Sequence, residues 1–499
     1  MASGWTAEHI FGNSTQGYTF DDFLLMPGRI DFDLASISLE TRLTRKLFLK
    51  NPILSSPMDT VTEHSMAIGC ALLGGIGILH NNMTLEKQIS EVECIKRYEN
   101  GFITEPFVLS PNNTIADIDE IKVKHGYSTV PITVDGKLRS KLLGIVTNRD
   151  HDFVLDRSTP LRDIMTTDLI VGKNTTSLSE AYTLLRESKK GKLPIVNKEF
   201  ELVSLVSRND LKKERDFPLA SKNENSQLRC GAALSTKGDA LYRAKALLEA
   251  GTDVLIIDSS QGNSIYQIDT IKQLKQRFPD VQIIAGNVIT VNQSKSLLDA
   301  GADGLRIGMG SGSICTTQSV CAVGRAQGSA IYHVCKYAKE YGDIPCIADG
   351  GIRTSGNILQ ALSFGASCVM CGSMLAGTEE APGDFHFHDG LRIKRYRGMG
   401  SIDAMTSAAK AHGEGSQARY FSSKSQILVA QGVSGAVVDK GSIFKLIPHI
   451  LQGIKHGMQD IGQSSISGLH KAMYEGDLTF ELRSVAAQRE GDVHDILTL

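Results

Sequence analysis

Eight short β-rich runs recur along this chain, and each is nearly continuously apolar. They are Pro52–Ser56, Gly75–Leu79, Arg229–Ala233, Asp253–Ile257, Gln282–Ala285, Gly304–Ile307, Ile344–Ala348 and Ser367–Met370. A strand with one wet face alternates polar and apolar residues. A strand that is apolar throughout is covered on both faces, as in a parallel sheet packed under helices. Helical patterns lie between the runs, among them Asp239–Ala250, Ile265–Arg277 and Ser294–Ala300. Several stop at Gly251, Gly301 or Gly365, where glycine supplies the left-handed residue that ends a helix. Eight β-α alternations predict an α/β fold, a closed (β/α)8 TIM barrel rather than an open doubly wound sheet.

Composition narrows the function classes. With 499 residues, 41% hydrophobic and 22% charged, the chain is an ordinary globular protein, not a collagen-like, mucin-like or disordered one. Its 53 basic and 55 acidic residues leave a net charge of −2, so no basic excess points to nucleic acid as a partner. The first residues carry no secretory pattern, and the longest uncharged apolar stretch, Gly69–Leu79, is far short of the roughly 20 residues that cross a bilayer. No membrane partner is expected. Nine scattered cysteines without a secretory signal read as reduced thiols, hence a cytoplasmic location, and Ile496–Leu499 is not a peroxisomal Ser-Lys-Leu ending.

The long stretch between the second and third runs, residues 105–216, is an internal repeat. One copy (105–157) holds Leu109–Thr114, a helix, Ser128–Ile132 and Leu143–Asp150; the other (161–216) holds Val171–Thr176, a helix, Gly191–Ile195 and Leu202–Asp210. Asp150 and Asp210 lie 60 residues apart, Pro131 and Pro194 lie 63 apart, and each copy ends in a strand and a Thr/Ser-x-x-Asp helix start. The pattern resembles a tandem pair of cystathionine-β-synthase (CBS) modules, which implies a purine nucleotide between the copies; a spacer domain is the alternative. The barrel then comprises residues 1–104 and 217–499.

Active sites of this fold sit at the C-terminal ends of the strands. Those ends read Ser56–Asp59, Asp258–Asn263, Gly286-Asn287, Gly308–Thr317, Asp349–Gly351 and Cys371–Ser373, polar and glycine-rich where the strand bodies are apolar. Gly350-Gly351 and Gly372-Ser373 can present backbone N–H groups at close range, with the Ser313 hydroxyl beside them, so a phosphorylated substrate is expected. Cys315 follows a loop too glycine-rich to be core and is flanked by small polar residues, the setting of a reactive thiolate. Cys70, Cys230, Cys346 and Cys368 sit in apolar runs and read as inert. Cys368 and Cys371 form a CxxC, but a spacing of three on a strand turns the side chains to opposite faces, so it is not a metal site. His386-Phe-His388 reads as surface. No GxGxxG opens a helix, so any dinucleotide is bound without a Rossmann unit.

Asp349-Gly-Gly351, Gly310–Thr317 and Tyr396–Ser401 are long, specific motifs, and the likeness runs from Tyr18–Leu25 to Glu490-Gly491. On these motifs the chain resembles the family of inosine-5′-monophosphate (IMP) dehydrogenase and GMP reductase. The resemblance implies NAD-dependent oxidation of IMP to XMP, the committed step of guanine nucleotide synthesis, in a homotetramer. It makes Cys315 the nucleophile and assigns IMP contacts to Ser56, Met58, Asn287, Ser313, Asp349, Gly350, Gly351, Gly372, Ser373, Tyr396, Gly398, Met399, Gly400 and Gln431. NAD contacts fall on Thr236, Asp258, Ser259, Ser260, Arg306, Gly308 and Gly310. Potassium falls on carbonyls of Gly310, Gly312 and Cys315, joined by Glu490, Gly491 and Asp492 of a second subunit, where Asp492 departs from the family's Glu-Gly-Gly. Hydrolysis falls to Arg419 and Tyr420 on a flap spanning about 390–440, with Thr317 as proton relay, since a guanidinium of pKa above roughly 12 is a poor base by itself. The flap is flanked by Gly413, Gly415, Gly432, Gly435 and Gly441. Two alternatives stand beside this reading. One is a GMP reductase, a kind of enzyme expected to lack both the CBS insert and the Arg-Tyr pair. The other is a catalytically inactive nucleotide-sensing regulator.

Overall fold

All eight runs become strands of one closed barrel. In chain order they are β1 (Ile53–Ser55), β2 (Ile76–Leu79), β3 (Cys230–Leu234), β4 (Val254–Asp258), β5 (Ile283–Val288), β6 (Gly304–Ile307), β7 (Cys346–Asp349) and β8 (Cys368–Cys371). Each pairs in parallel with its sequence neighbour, and β8 closes on β1 through Val369↔Ile53 and Met370↔Leu54. This computed structural model describes residues 4–12, 14–98, 102–103, 106–125, 129–176, 178–208, 215–236, 239–410 and 428–493.

The period of two along a strand selects what fills the barrel. Leu54, Ile76, Ile78, Val254, Ile256, Ile284, Ile347, Cys368 and Met370 form one buried cluster, each worth roughly 1.5–3 kcal/mol for the larger aliphatic side chains. Leu43 and Leu49 join it from an antiparallel pair, Thr41–Arg42 with Phe48–Leu49, which plugs the N-terminal end of the barrel. Thr44 Oγ1 donates to Gln282 Oε1 at 2.7 Å just before β5, and the Cys368 thiol donates to the Arg42 carbonyl. Those two-residue strands are too short to leave a period in the sequence.

Helix boundaries follow local chemistry. The helix expected from Ser294 begins at Val291, because Thr290 and Gln293 form a capping box that satisfies the first backbone donors. Gly251, Gly301 and Gly365 take φ of 101°, 107° and 100°, the left-handed stops expected of them. Beyond the barrel, β9 (His386–His388), β10 (Leu391–Arg397) and β11 (Ser434–Val438) form an antiparallel sheet in the order β9-β10-β11. Among the described residues no helix is long and apolar enough to cross a membrane.

The chain divides into two compact units: residues 1–97, 219–223 and 228–499, and residues 98–218 with 224–227. In the second unit, one helix (Ile115–His125) packs over the pair Val130–Thr133 and Leu142–Val146, followed by a capping box of Thr147 and Asp150. A second helix (Leu178–Ser188) accompanies a four-stranded sheet containing Gly172–Lys173, Lys192–Val196 and Leu202–Ser207. Ser128, Asp210 and residue 105, which delimit the predicted repeat, lie outside the described residues.

In the barrel unit the points of departure and return are close together. Lys96 Nζ donates to the Leu228 carbonyl at 2.8 Å and pairs with Asp253 at 2.6 Å. A connection whose ends already meet tolerates insertion, and therefore removal. Replacing residues 98–218 with a short Gly-Ser linker is expected to leave a barrel that unfolds in one cooperative thermal transition. Aggregation, or loss of the transition, would show that the barrel needs the second unit.

Candidate active site

Two residues beyond each core position, the inward face of the barrel turns from apolar to polar. Leu54 leads to Ser56, Ile256 to Asp258, Ile347 to Asp349 and Met370 to Gly372. The same register that builds the core therefore aims the strand ends at one another. On β6 the inward residue is Arg306, only 2% exposed. Its Nη1 donates to Asp258 Oδ1 at 2.6 Å and its Nε to Asp349 Oδ2 at 2.9 Å. Asn287 Nδ2 donates to the same Asp349 oxygen at 2.9 Å and to the Gly308 carbonyl at 2.7 Å. Four strand ends are thus laced together beneath the cleft.

The loop after β6 lies against the end of β7. Gly308 has φ +143°, and a Cβ there would sit 2.0 Å from the Asp349 carbonyl oxygen, so only glycine fits. Buried Gln327 ties the two together, with Nε2 donating to the carbonyls of Ile307 and Asp349 at 3.1 Å each and Oε1 accepting from Ser311 at 3.1 Å. The loop then delivers Cys315, half-buried, just before the short helix Thr317–Cys321. Cys315 Sγ lies 3.2 Å from Thr317 Oγ1, which also donates to Gln431 Oε1 at 3.2 Å. The backbone beside it bridges to the segment preceding β11, through Thr316 N–H to the Gln431 carbonyl at 3.1 Å and Val433 N–H to the Ile314 carbonyl at 3.0 Å.

The other cysteines separate by burial. Desolvation pushes the thiols of Cys70, Cys230 and Cys371 up to about 12 and Cys368 higher still; Cys346 is buried as well. Cys94 and Cys321 are exposed, so exposure alone does not single out Cys315; its position beside Thr317 and Gln431 does. His386 and His388 are exposed on β9, and no group of three His, Cys, Asp or Glu side chains that could hold a metal exists among the described residues.

The cleft that holds Cys315 is also lined by the glycine strand ends Gly350, Gly351 and Gly372. A Cβ on Gly372 would stand 3.1 Å from Tyr396 Oη and 3.3 Å from Met58 Sδ. Tyr396, from β10, is 5% exposed; burial pushes its phenol up to about 12, while a bond to Ser313 works the other way. It therefore stays a neutral hydrogen-bond donor at physiological pH.

Every residue expected to contact IMP lines this cleft: Ser56, Met58, Asn287, Ser313, Asp349, Gly350, Gly351, Gly372, Ser373, Tyr396, Gly398, Met399, Gly400 and Gln431, together with Cys315 and Thr317. Of the expected NAD contacts, Ser260, Arg306, Gly308 and Gly310 line it; Thr236, Asp258 and Ser259 do not. Asp258 and Ser259 are each 1% exposed, because the former is spent on Arg306 and the latter's hydroxyl on the Gln261 carbonyl at 2.9 Å. Gly310 and Gly312 are in the lining, whereas Glu490 ends the helix Val485–Glu490 and, with Gly491 and Asp492, stands outside it. Arg419, Tyr420, Gly413 and Gly415 lie outside the described residues. Sequence reasoning missed Pro57, Met309, Ser311, Ile314, Ile352 and Met370 in the lining. Period two from Cys368 finds Met370; the other five adjoin residues already marked.

Removing Asp258 leaves one arm of the buried Arg306 without its carboxylate, and breaking a buried pair costs roughly 3–5 kcal/mol. Asp258→Leu is accordingly expected to lower the urea midpoint by that much stability at unchanged slope. A loss below about 0.5 kcal/mol, the size of a surface change, would contradict the arrangement.

Comparison with known proteins agrees with this geometry. Residues 17–494 match the family model described as IMP dehydrogenase / GMP reductase domain. The chain is 58% identical to the inosine-5′-monophosphate dehydrogenase of Toxoplasma gondii, over 99% of this chain and 98% of that one. It is 51% identical to the Schizosaccharomyces pombe protein of the same name (97% and 93%) and 47% identical to that of Trypanosoma brucei brucei (99% and 96%). Among solved structures it resembles a Cys→Ala variant of Trypanosoma brucei GMP reductase in complex with guanosine 5′-monophosphate, with TM-score 0.87, 35% identity, and 97% and 99% of the two chains covered. The chain belongs to the IMP dehydrogenase / GMP reductase family.

Proposed function

We propose that this protein oxidises IMP to XMP with NAD, the reaction that commits purine to guanine nucleotides. The observation that carries the reading is one cleft holding both a cysteine beside a hydroxyl relay and the glycine-ended strands with Tyr396. Gly351, Gly372, Ser373, Ser313 and Tyr396 receive the phosphate, and Asp349, held by Arg306 and Asn287, receives the ribose hydroxyls. That leaves the base facing Cys315.

The Cys315 thiolate adds to C2 of the hypoxanthine, forming a C–S bond. NAD supplies the acceptor for the hydride that leaves C2; Ser260, Gly308 and Gly310 are the residues in the lining that would hold it, and the unpartnered Asn287 Oδ1 suits a polar ligand in the cleft. A thioimidate remains on Cys315. Water adds to C2 as Arg419, with Tyr420 and the Thr317 hydroxyl, takes its proton, and the C–S bond breaks to return the thiol. IMP, NAD and water become XMP, NADH and a proton.

The same reading carries further expectations. The backbone carbonyls of Gly310, Gly312 and Cys315, with those of Glu490, Gly491 and Asp492 from a second subunit of a homotetramer, suit a potassium ion. Residues 105–216 form a CBS pair, divided at 105–157 and 161–216, that takes a purine nucleotide. Nine unpaired cysteines suit the cytoplasm.

GMP reduction is the second reading. The reductase structure covers 97% of this chain, so it spans the insert too, and the insert does not separate the two activities as the sequence led us to expect. Identities of 47–58% to dehydrogenases against 35% to the reductase, and Arg419-Tyr420, favour oxidation.

If Arg419 serves hydrolysis alone, Arg419→Ala should give a burst of NADH near one equivalent per site, then turnover slowed by about 10²–10⁴-fold. Intact-protein mass should show the purine nucleotide bound to Cys315, and Cys315→Ala should abolish burst and adduct together. A burst that vanished with turnover in Arg419→Ala would assign Arg419 to hydride transfer or binding instead.

A further inference from the structure

The cleft has a charge problem. Among the described lining residues the only cationic side chain is Arg306 and the only anionic one is Asp349. Both arms of Arg306 are spent, on Asp258 and on Asp349, so the group as a whole carries a net charge of −1. A phosphate monoester carries about −1.5 to −2 at neutral pH. The amides and hydroxyls expected to receive it are neutral. A positive charge behind the cradle would offset part of that excess.

The loop after β8 shows where. Its first residues, Gly372 and Ser373, line the cleft, and the carbonyls of Ser373 and Met374 meet a residue from beyond β11. Lys440, two residues after β11, donates through Nζ to the carbonyl of Ser373 and, at 3.4 Å, to that of Met374. Its backbone N–H binds the Gly377 carbonyl at 3.1 Å, which fixes it against the loop. The adjacent carboxylate, Asp439, is taken by Arg392 at 2.9 Å. Among the described residues no carboxylate forms an ion pair with Lys440. A second lysine, Lys394, is only 3% exposed and grips the same loop farther along, at the carbonyls of Thr378, Glu379 and Ala381, at 2.9, 3.2 and 2.6 Å. Those residues do not line the cleft.

We infer that Lys440 is a positioning residue for the substrate phosphate, placing one positive charge behind the Ser373–Met374 peptides and so favouring a nucleotide over its nucleoside. A cation on a peptide carbonyl strengthens the dipole of that peptide, and its field adds to that of the cradle. Lys440 is an exposed residue, so solvent screens the effect and keeps it modest. The inference rests on the cleft being the IMP site proposed above.

The full chain tests it through protection of Cys315 from iodoacetamide, read by peptide mass, with IMP or inosine as protecting ligand. Lys440→Gln keeps a donor for the Ser373 carbonyl and removes the charge; Lys440→Arg keeps the charge. Lys440→Gln should weaken protection by IMP about two- to fivefold while protection by inosine changes little, with the difference shrinking as salt rises and Lys440→Arg restoring it. Lys394→Met, which loosens the same loop away from the cleft, should weaken both ligands alike. An equal loss for IMP and inosine in Lys440→Gln, or no loss for IMP, would overturn the charge role. If the wild type were not protected by IMP at all, the cleft would not be an IMP site, and the inference would fall with that reading rather than alone.

Discussion

A guanidinium buried under the mouth of the barrel is the constraint on which the site depends. Taking a charge out of water costs several kcal/mol, and Arg306, 2% exposed, recovers that only through Asp258 on β4 and Asp349 on β7. Because the three lie on different strands, the pairing specifies the relative positions of those strand ends as well as holding them together. Asn287 adds β5 and the Gly308 carbonyl to the same group. The Asp349 carboxylate is therefore held in one orientation at the cleft by Arg306 and Asn287.

Much of this was legible in the residues, for reasons that differ from place to place. The barrel strands declared themselves because a strand covered on both faces has no polar residues to interrupt it, and all eight runs contain the observed strands or overlap them within a few residues. The site followed from period two, which carries the polar strand ends to the same side. Arg306 lines the cleft as expected, but its pairing was not legible: nothing in the linear order says that Asp258 and Asp349 stand on either side of it. The plug of Leu43, Leu47 and Leu49 left no period, and the Thr290–Gln293 capping box was overlooked, which cost three residues of helix. Lys394 and Lys440 sit among exposed β residues, where a lysine ordinarily means a wet face; only their contacts with carbonyls distinguish them.

The cleft has two kinds of wall. One is the barrel rim, with Asp349, Asn287 and the glycine ends set by strands and a buried ion group. The other comes from residues 396–400 and 431–433, joined to each other by Gly398 N–H to the Val433 carbonyl and Gln431 N–H to that of Gly400, both 2.9 Å, and to the barrel side by Val433 N–H to the Ile314 carbonyl at 3.0 Å, Thr316 N–H to that of Gln431 at 3.1 Å and the Arg397–Asp59 ion pair at 2.6 Å. Cys315 stands where the two meet, its sulfur beside Thr317 and Gln431. On the reading proposed above, the first wall supplies Asp349 and the glycine ends, the second supplies Tyr396, and the nucleotide touches both.

The direction of the chemistry is the central claim, since a reductase shares the fold over nearly the whole length of the chain. Initial rates at 340 nm, measured side by side with IMP plus NAD and with GMP plus NADPH, test it most directly. The account predicts NADH formation that requires IMP, yields XMP in equal amount and is accompanied by no ammonia. Oxidation of NADPH with GMP and release of ammonia, with no NADH from IMP, would contradict it.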